Sequence, residues 1–264
     1  MTGSGLVRTL VAYRQILLQT TANEVRFRYA GSLLGAFWLA LAPLLLMAIY
    51  AGVYLVVFRV RPPDMSAEHY VLYVLSGLIP FMGFSEALSA GSSSLTLNRA
   101  ILLNTVFPAE LVPLRAVLSS QAPTAVGILV AALIGVALGL GSPALLAIPL
   151  IWLALVMFVS GIVWILSLAS LLARDVSQLL VFLNMALLVI CPIGYTEAMV
   201  PSVLRPLVYL NPLSHYIDAF HDVIVFARWP SFGAWAVMLL CGAASLGLGF
   251  RVFQRAKRMF FDYA

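Results

Sequence analysis

Glu86 is the side chain in this sequence that most needs an explanation, because it sits inside the otherwise charge-free run 70–95. An ionisable group at such a position is costly. It is retained to line a pathway, to hydrogen-bond a neighbouring helix, or because interfacial water reaches it. Proton-coupled transport would want a second buried acid, and no other apolar run supplies one. Asp218 and Asp222 lie in a proline-broken stretch and, with Glu86, are the carboxylates a membrane-bound transferase could use as acid or base. His69, His215 and His221 have no nucleophile at a recognisable spacing, and there is no GxSxG or HExxH. Cys191 and Cys241 are lone thiols in apolar segments without CxxC spacing, so neither a disulfide nor a metal site is expected. The single lysine, Lys257, follows Gln254-Arg255-Ala256, which excludes a GxxxxGK[ST] phosphate loop. Nucleotide-driven work must therefore come from another subunit, and no cofactor bound by this chain is expected.

The elements that position these residues are set by composition. Of 264 residues 63% are hydrophobic and 9% charged, against about half and about a quarter in soluble domains. Mean hydropathy is +1.05. A soluble enzyme and a disordered chain are both excluded. The net charge of +5 does not point to nucleic acid, since the basic residues are scattered among apolar runs and gather near the two ends. Membrane topology accounts for them better.

About 20 apolar residues cross a hydrocarbon core as a helix. Apolar runs of that length, nearly free of charge, occur at 33–58, 70–95, 115–139, 144–172, 177–196 and 231–250. Each is continuously apolar rather than alternating, so the fold class is all-α with six transmembrane helices. The first run follows four arginines and has no small-residue cleavage site, so it is expected to stay as a span rather than be removed as a signal peptide. Arg8, Arg14, Arg26, Arg28, Arg99, Arg115, Arg174, Arg251, Arg255, Lys257 and Arg258 fall on one side, against Arg59, Arg61, Arg205 and Arg228 on the other. That imbalance puts both termini in the cytoplasm. No repeat or soluble insert interrupts the chain, which reads as one membrane domain over 1–264.

Three segments are not simple spans. From Leu6 to Ala22 a helical wheel separates Arg8, Gln15 and Gln19 from Leu6, Leu10, Tyr13 and Leu17, which predicts an amphipathic helix within 1–30 lying in the membrane interface. It either only anchors to lipid or also receives a cytoplasmic partner. The loop 98–113 is amphiphilic rather than a tight connector and carries Ile101, Leu102 and Phe107; it enters a cleft of another protein or folds back on its own bundle. Pro201, Pro206, Pro212 and Pro230 break the stretch 197–226 and its flank, which suits a re-entrant pair of short helices on the outer side, an ordinary external loop being the alternative. Tyr50, Tyr54 and Phe58 repeat every four residues, with Tyr70 and Tyr73 opening the next run. Such rings form an interfacial belt or a ladder on which apolar sugar faces slide.

Taken in order, several segments resemble the type-2 ABC exporter permeases of lipid-linked polysaccharides such as O antigen, capsule or teichoic acid. They are Glu24-Val25-Arg26-Phe27-Arg28-Tyr29-Ala30-Gly31-Ser32-Leu33-Leu34-Gly35-Ala36-Phe37-Trp38; Asn98-Arg99 with Val106-Phe107-Pro108-Ala109-Glu110-Leu111-Val112-Pro113-Leu114; Ala173-Arg174-Asp175-Val176-Ser177-Gln178; Cys191-Pro192-Ile193-Gly194-Tyr195; Asn211-Pro212-Leu213-Ser214-His215; and the tail Arg251-Val252-Phe253-Gln254-Arg255-Ala256. The turn often reads Ser-Pro in relatives, where this chain has Cys191-Pro192. The resemblance implies a non-enzymatic transport subunit of the bacterial plasma (inner) membrane. It implies a homodimer with a channel between the copies, and two copies of a separate ATPase that uses ATP and magnesium. Membrane lipids, the lipid-linked glycan and periplasmic export proteins are the further partners. ATPase docking would fall on Arg26, Arg28, Asn98, Arg99, Ile101, Phe107, Pro108 and Glu110. The channel would involve Tyr50, Tyr54, Phe58 and Glu86, and an outer gate Tyr195, Asn211, Pro212 and His215. A membrane-embedded glycan or lipid transferase and a proton-coupled secondary transporter using Glu86 are the competing classes.

Overall fold

Apolar runs of this length have to satisfy their backbone groups within themselves, and they do so as helices. The computed structural model describes residues 5–53, 65–99, 108–173, 175–196 and 199–261, and among them there is no strand. Helix α1 spans Leu6–Tyr29, α2 Trp38–Gly52 and α3 Ala67–Leu97. They are followed by α4, Leu111–Ala137, and by α5, Ile148–Leu172, which is entered through a 3-10 turn at Pro143–Ala147. Then come α6, Asp175–Ile190, the short α7, Arg205–Leu210, α8, Pro212–Ile224, and α9, Phe232–Phe261.

Four segments are long and apolar enough to cross a membrane: Ala67–Leu97, Leu111–Ala137, Pro143–Leu172 and Phe232–Lys257. They coincide with four of the six expected runs. The expected run 177–196 is a shorter helix that stops at Ile190, because Pro192 disfavours helical backbone in the residue before it. The run expected from residue 33 turns helical only at Trp38. Before it come a turn at Gly31 and a 3-10 turn at Gly35–Phe37; the φ values of Gly31 and Gly35, 80° and 49°, lie in the left-handed region that glycine tolerates. The last run continues past residue 250 to Phe261, carrying the basic tail on the same helix.

Helix α3 is the centre of the bundle, with α4, α5, α6 and α8 packed around it. Its buried face holds Leu72, Leu75, Leu78, Phe81, Phe84 and Leu88. Close approach is made possible by small residues: the space beside Gly91 is filled by Val163 of α5, and that beside Gly83 by Thr124 of α4. Gly161 of α5 and Gly249 of α9 touch backbone to backbone, which makes α5 and α9 the most extensive helix pair. A buried polar tie crosses the same core, where the Gln121 amide donates to the Gly83 carbonyl at 3.0 Å and accepts from Trp152 Nε1 at 3.0 Å. One amide thus fixes the register of α3, α4 and α5 together.

A second apolar cluster joins the α1 end of the molecule. Leu17 of α1, with Leu6 and Leu10 beside it, packs on Leu95, Leu111, Val112, Trp164, Leu168, Phe250 and Phe253. The apolar stripe expected on α1 is therefore turned onto its own bundle, except for Tyr13, which is exposed. Helix α1, Leu6–Tyr29, falls within the expected bounds 1–30 and continues past the amphipathic stretch that ends at Ala22.

Candidate functional site

Two networks hold the ends of α3, and the residues expected to be functional fall largely within them. At its start, Tyr70 and Tyr73 lie on one face and are buried, with 2% and 3% exposure. They are not an interfacial belt. The Tyr70 hydroxyl donates to the Gly194 carbonyl at 2.7 Å, and the Tyr73 hydroxyl donates to the carbonyls of Tyr195 at 3.0 Å and Pro192 at 3.4 Å. Backbone groups released where α6 stops are thereby satisfied. The Tyr73 ring also stacks on His221 of α8 at 3.8 Å between centroids.

The expected gate residues close the same knot. The Tyr195 hydroxyl returns to the carbonyls of Val189 and Ile190. Asn211 caps α8, its Oδ1 accepting from the Leu213 amide at 3.1 Å, while its Nδ2 donates to the buried Cys191 sulfur at 3.2 Å. Pro212 occupies the first turn of α8, and His215 pairs with the Tyr209 carbonyl at 3.0 Å. The stretch 197–226 holds a helical pair rather than a plain loop, and α8 buries Leu213, Tyr216, Ile217, Phe220 and Val223.

Along the second half of α3, from Glu86 to Asn98, charge replaces aromatic burial. Glu86 forms an ion pair with Arg28 of α1. Four residues earlier on α1, Glu24 pairs with Arg115 of α4 at 2.6 Å and accepts from Ser119 at 3.1 Å. Arg115 reaches on to Asn98 Oδ1 at 3.1 Å, and Asn98 Nδ2 caps α3 by donating to the Ser94 carbonyl at 2.8 Å. Beside Arg28, burial raises the Tyr29 phenol above its ordinary value; Arg28 opposes the shift and Glu86 adds to it. Tyr29 is therefore a neutral donor at physiological pH.

Glu110 anchors a third helix here. Its carboxylate, 8% exposed, receives Lys257 Nζ at 2.7 Å and Gln254 Nε2 at 3.2 Å from α9, and its carbonyl accepts from Trp164 Nε1 at 2.9 Å. The described end of the 98–113 loop, from Pro108, folds back on the bundle, with Ala109, Leu111 and Val112 buried. Of the expected docking residues, Arg26, Arg28 and Arg99 are exposed, Arg28 while paired with Glu86, whereas Asn98 and Glu110 are turned inward. Tyr50 lies on α2; Tyr54, Phe58, Ile101 and Phe107 are outside the described residues.

Residues 17–225 match the model of the ABC-2 type transporter family. The chain belongs to that family. It is 27% identical over 249 residues, 93% of each chain, to the O-antigen export system permease protein RfbA of Klebsiella pneumoniae. A protein of the same designation from Myxococcus xanthus is 27% identical over 252 residues, 91% of this chain and 94% of its own. Together with the span-length helices, this makes the chain a multi-pass membrane component of a transporter.

The sequence alone did not disclose the Glu24–Arg115 and Glu110–Lys257 pairs or the Gln121 tie. Each partner is 31 or more positions away in the chain, so no local spacing signals it. The knot around Cys191–Tyr195 had a signal, a proline turn and two tyrosines three apart, but its hydrogen-bond direction did not.

Proposed function

We propose that this chain is the permease of an ATP-driven exporter that carries a lipid-linked polysaccharide out of the cytoplasm of a bacterium. The observation that carries the reading is full-length similarity to O-antigen export permeases in a chain with no phosphate loop of its own. Two copies form the conduit between them, and two copies of a separate ATPase use ATP and magnesium to drive it. The reading places six spans in the plasma membrane, α2 to α6 and α9, omitting α7 and α8. Both termini are cytoplasmic, α1 lies in the interface, and α7 and α8 form the outer re-entrant pair. Support for the dimer comes from α6, which exposes Leu179, Phe182, Met185 and Val189 and buries only Leu180 against its own chain. Such a face needs lipid or a second copy to cover it.

ATPase docking is assigned to α1 and the 98–113 loop, with Arg26, Arg28, Arg99, Ile101, Phe107 and Pro108 as contacts and Asn98 and Glu110 as the inward supports of that surface. Tyr50, Tyr54, Phe58 and Glu86 are assigned to the conduit, and Tyr195, Asn211, Pro212 and His215 to the outer gate. The test is purification of the tagged chain from its native membrane in mild detergent. A P-loop ATPase should co-elute at one copy per permease, and Phe107→Asp should abolish both co-elution and export while the permease still inserts. A folded permease that reproducibly elutes without an ATPase overturns the reading and shifts weight to a transferase or a Glu86-dependent secondary transporter.

A further inference from the structure

Five polar residues of α3, Ser85, Glu86, Ser89, Ser93 and Thr96, fall within an arc of about 100° when the helix is projected at 100° per residue. At 1.5 Å per residue the row is about 16 Å long, half the thickness of a hydrocarbon core. Ser89 and Thr96 are exposed and the other three half-buried, while Leu88, Gly91 and Leu95, turned away from the row, are sealed in the core. Hydrocarbon cannot solvate a row of hydroxyls ending in a carboxylate. The row therefore faces a space that can.

Its hydrogen bonds have a direction. Ser89 Oγ donates to the Ser85 carbonyl at 3.0 Å, and Ser93 Oγ donates to the Ser89 carbonyl at 3.3 Å. Asn184 of α6 donates its Nδ2 hydrogen to Ser89 Oγ at 3.3 Å, and its Oδ1 has no partner. The Ser89 and Ser93 protons are spent on the helix itself, so what these two groups offer outward is oxygen lone pairs. Glu86 adds a carboxylate, and Arg28, the cation that meets the row, is committed to it. A wall of acceptors calls for donors. A neutral glycan carries them on most of its carbons, whereas a chain of phosphates or uronic acids brings further acceptors that find no donor on this face.

We infer that this face of α3, with Asn184, is an acceptor track that passes a neutral, hydroxyl-rich glycan and disfavours polyanions. The inference rests on the exporter reading and narrows its substrate class. It is tested in the native host by replacing the chromosomal gene with Ser89→Val/Ser93→Val and with Ser89→Thr/Ser93→Thr. Surface glycan, membrane abundance of the permease and co-purifying ATPase are measured for each variant and for a deletion strain. The valine pair, which removes the oxygens and has the same bulk as the threonine pair, should slow appearance of surface glycan by about tenfold, the factor that two ordinary hydrogen bonds carry together. The threonine pair should stay near wild type. Compositional analysis of the polymer lost in the deletion strain should give a neutral repeat. Normal export by the valine pair, equal impairment by the threonine pair, or an acidic repeat each overturns the track; the polymer's composition decides even where the valine pair fails to insert. A deletion strain that loses no surface glycan fails the exporter reading itself, and the track with it.

Discussion

The two ends of α3 are held by different physics. At the Tyr70–Tyr73 end, phenolic hydroxyls donate to backbone carbonyls of a proline turn, with the rings buried. At the Glu86–Asn98 end, α1 is tied on by ion pairs whose side chains remain 20 to 41% exposed. A buried hydroxyl-to-carbonyl bond is insensitive to salt and costs a desolvated carbonyl when broken. Exposed ion pairs are screened and can exchange partners cheaply. One end is thus built to keep a single geometry, whereas the ties that hold α1 at the other are individually weak and screened by salt.

The largest effect that sharpens this contrast is expected from Tyr73→Ala. It removes a ring that packs on His221 as well as a hydroxyl that serves two carbonyls, and should lower stability by about 3–5 kcal/mol. Thermal unfolding of the purified permease in detergent measures it. Tyr73→Phe, which keeps the ring, should cost only about 1–2 kcal/mol, and neither loss should change with ionic strength. A salt-dependent loss at Tyr73 would dissolve the distinction.

Next comes Glu110→Ala, which strands Lys257 and Gln254 at the foot of α9. Lys257 keeps part of its surface in water, so the expected cost is about 1–3 kcal/mol, less than for a fully buried pair. Limited proteolysis should show the basic tail after Phe253 becoming more susceptible while the core stays resistant. Unchanged cleavage would mean that the tail is held by the Phe250 and Phe253 packing alone.

How much of this was legible beforehand follows from the range of each signal. Four of the spans are composition summed over twenty or more residues, and the amphipathic α1 is a local period; both are readable from one strand of sequence. The turn at Cys191–Tyr195 announced itself through Pro192, which no helix can absorb without cost. Pairing is another matter. Glu24 could have met any of several arginines, and only the packing of Leu17 against Leu111 and Phe253 brings Arg115, rather than another, within 2.6 Å. Likewise Tyr70 and Tyr73 have the composition of a belt. Their burial depends on α8 closing over them, and α8 is set by a helix start at Asn211 that lies 138 positions downstream of Tyr73.

The smallest effect is the most informative about α1. Arg28→Glu or Glu86→Arg alone should cost at most about 1 kcal/mol of stability, since the pair is half in water, yet each places two like charges together where α1 meets α3. The double exchange Arg28→Glu/Glu86→Arg restores the attraction with its polarity reversed. If the pair only fastens α1, the exchange should recover the stability and the export rate together, and the coupling measured by the four-variant cycle should shrink as salt is raised. If instead the carboxylate must stand on α3, as an acceptor on the conduit wall, the exchange should recover stability but not export, because the row beginning at Ser85 would then carry a donor where it needs a lone pair. Measuring both quantities on the same four proteins separates a fastening from a surface the cargo touches.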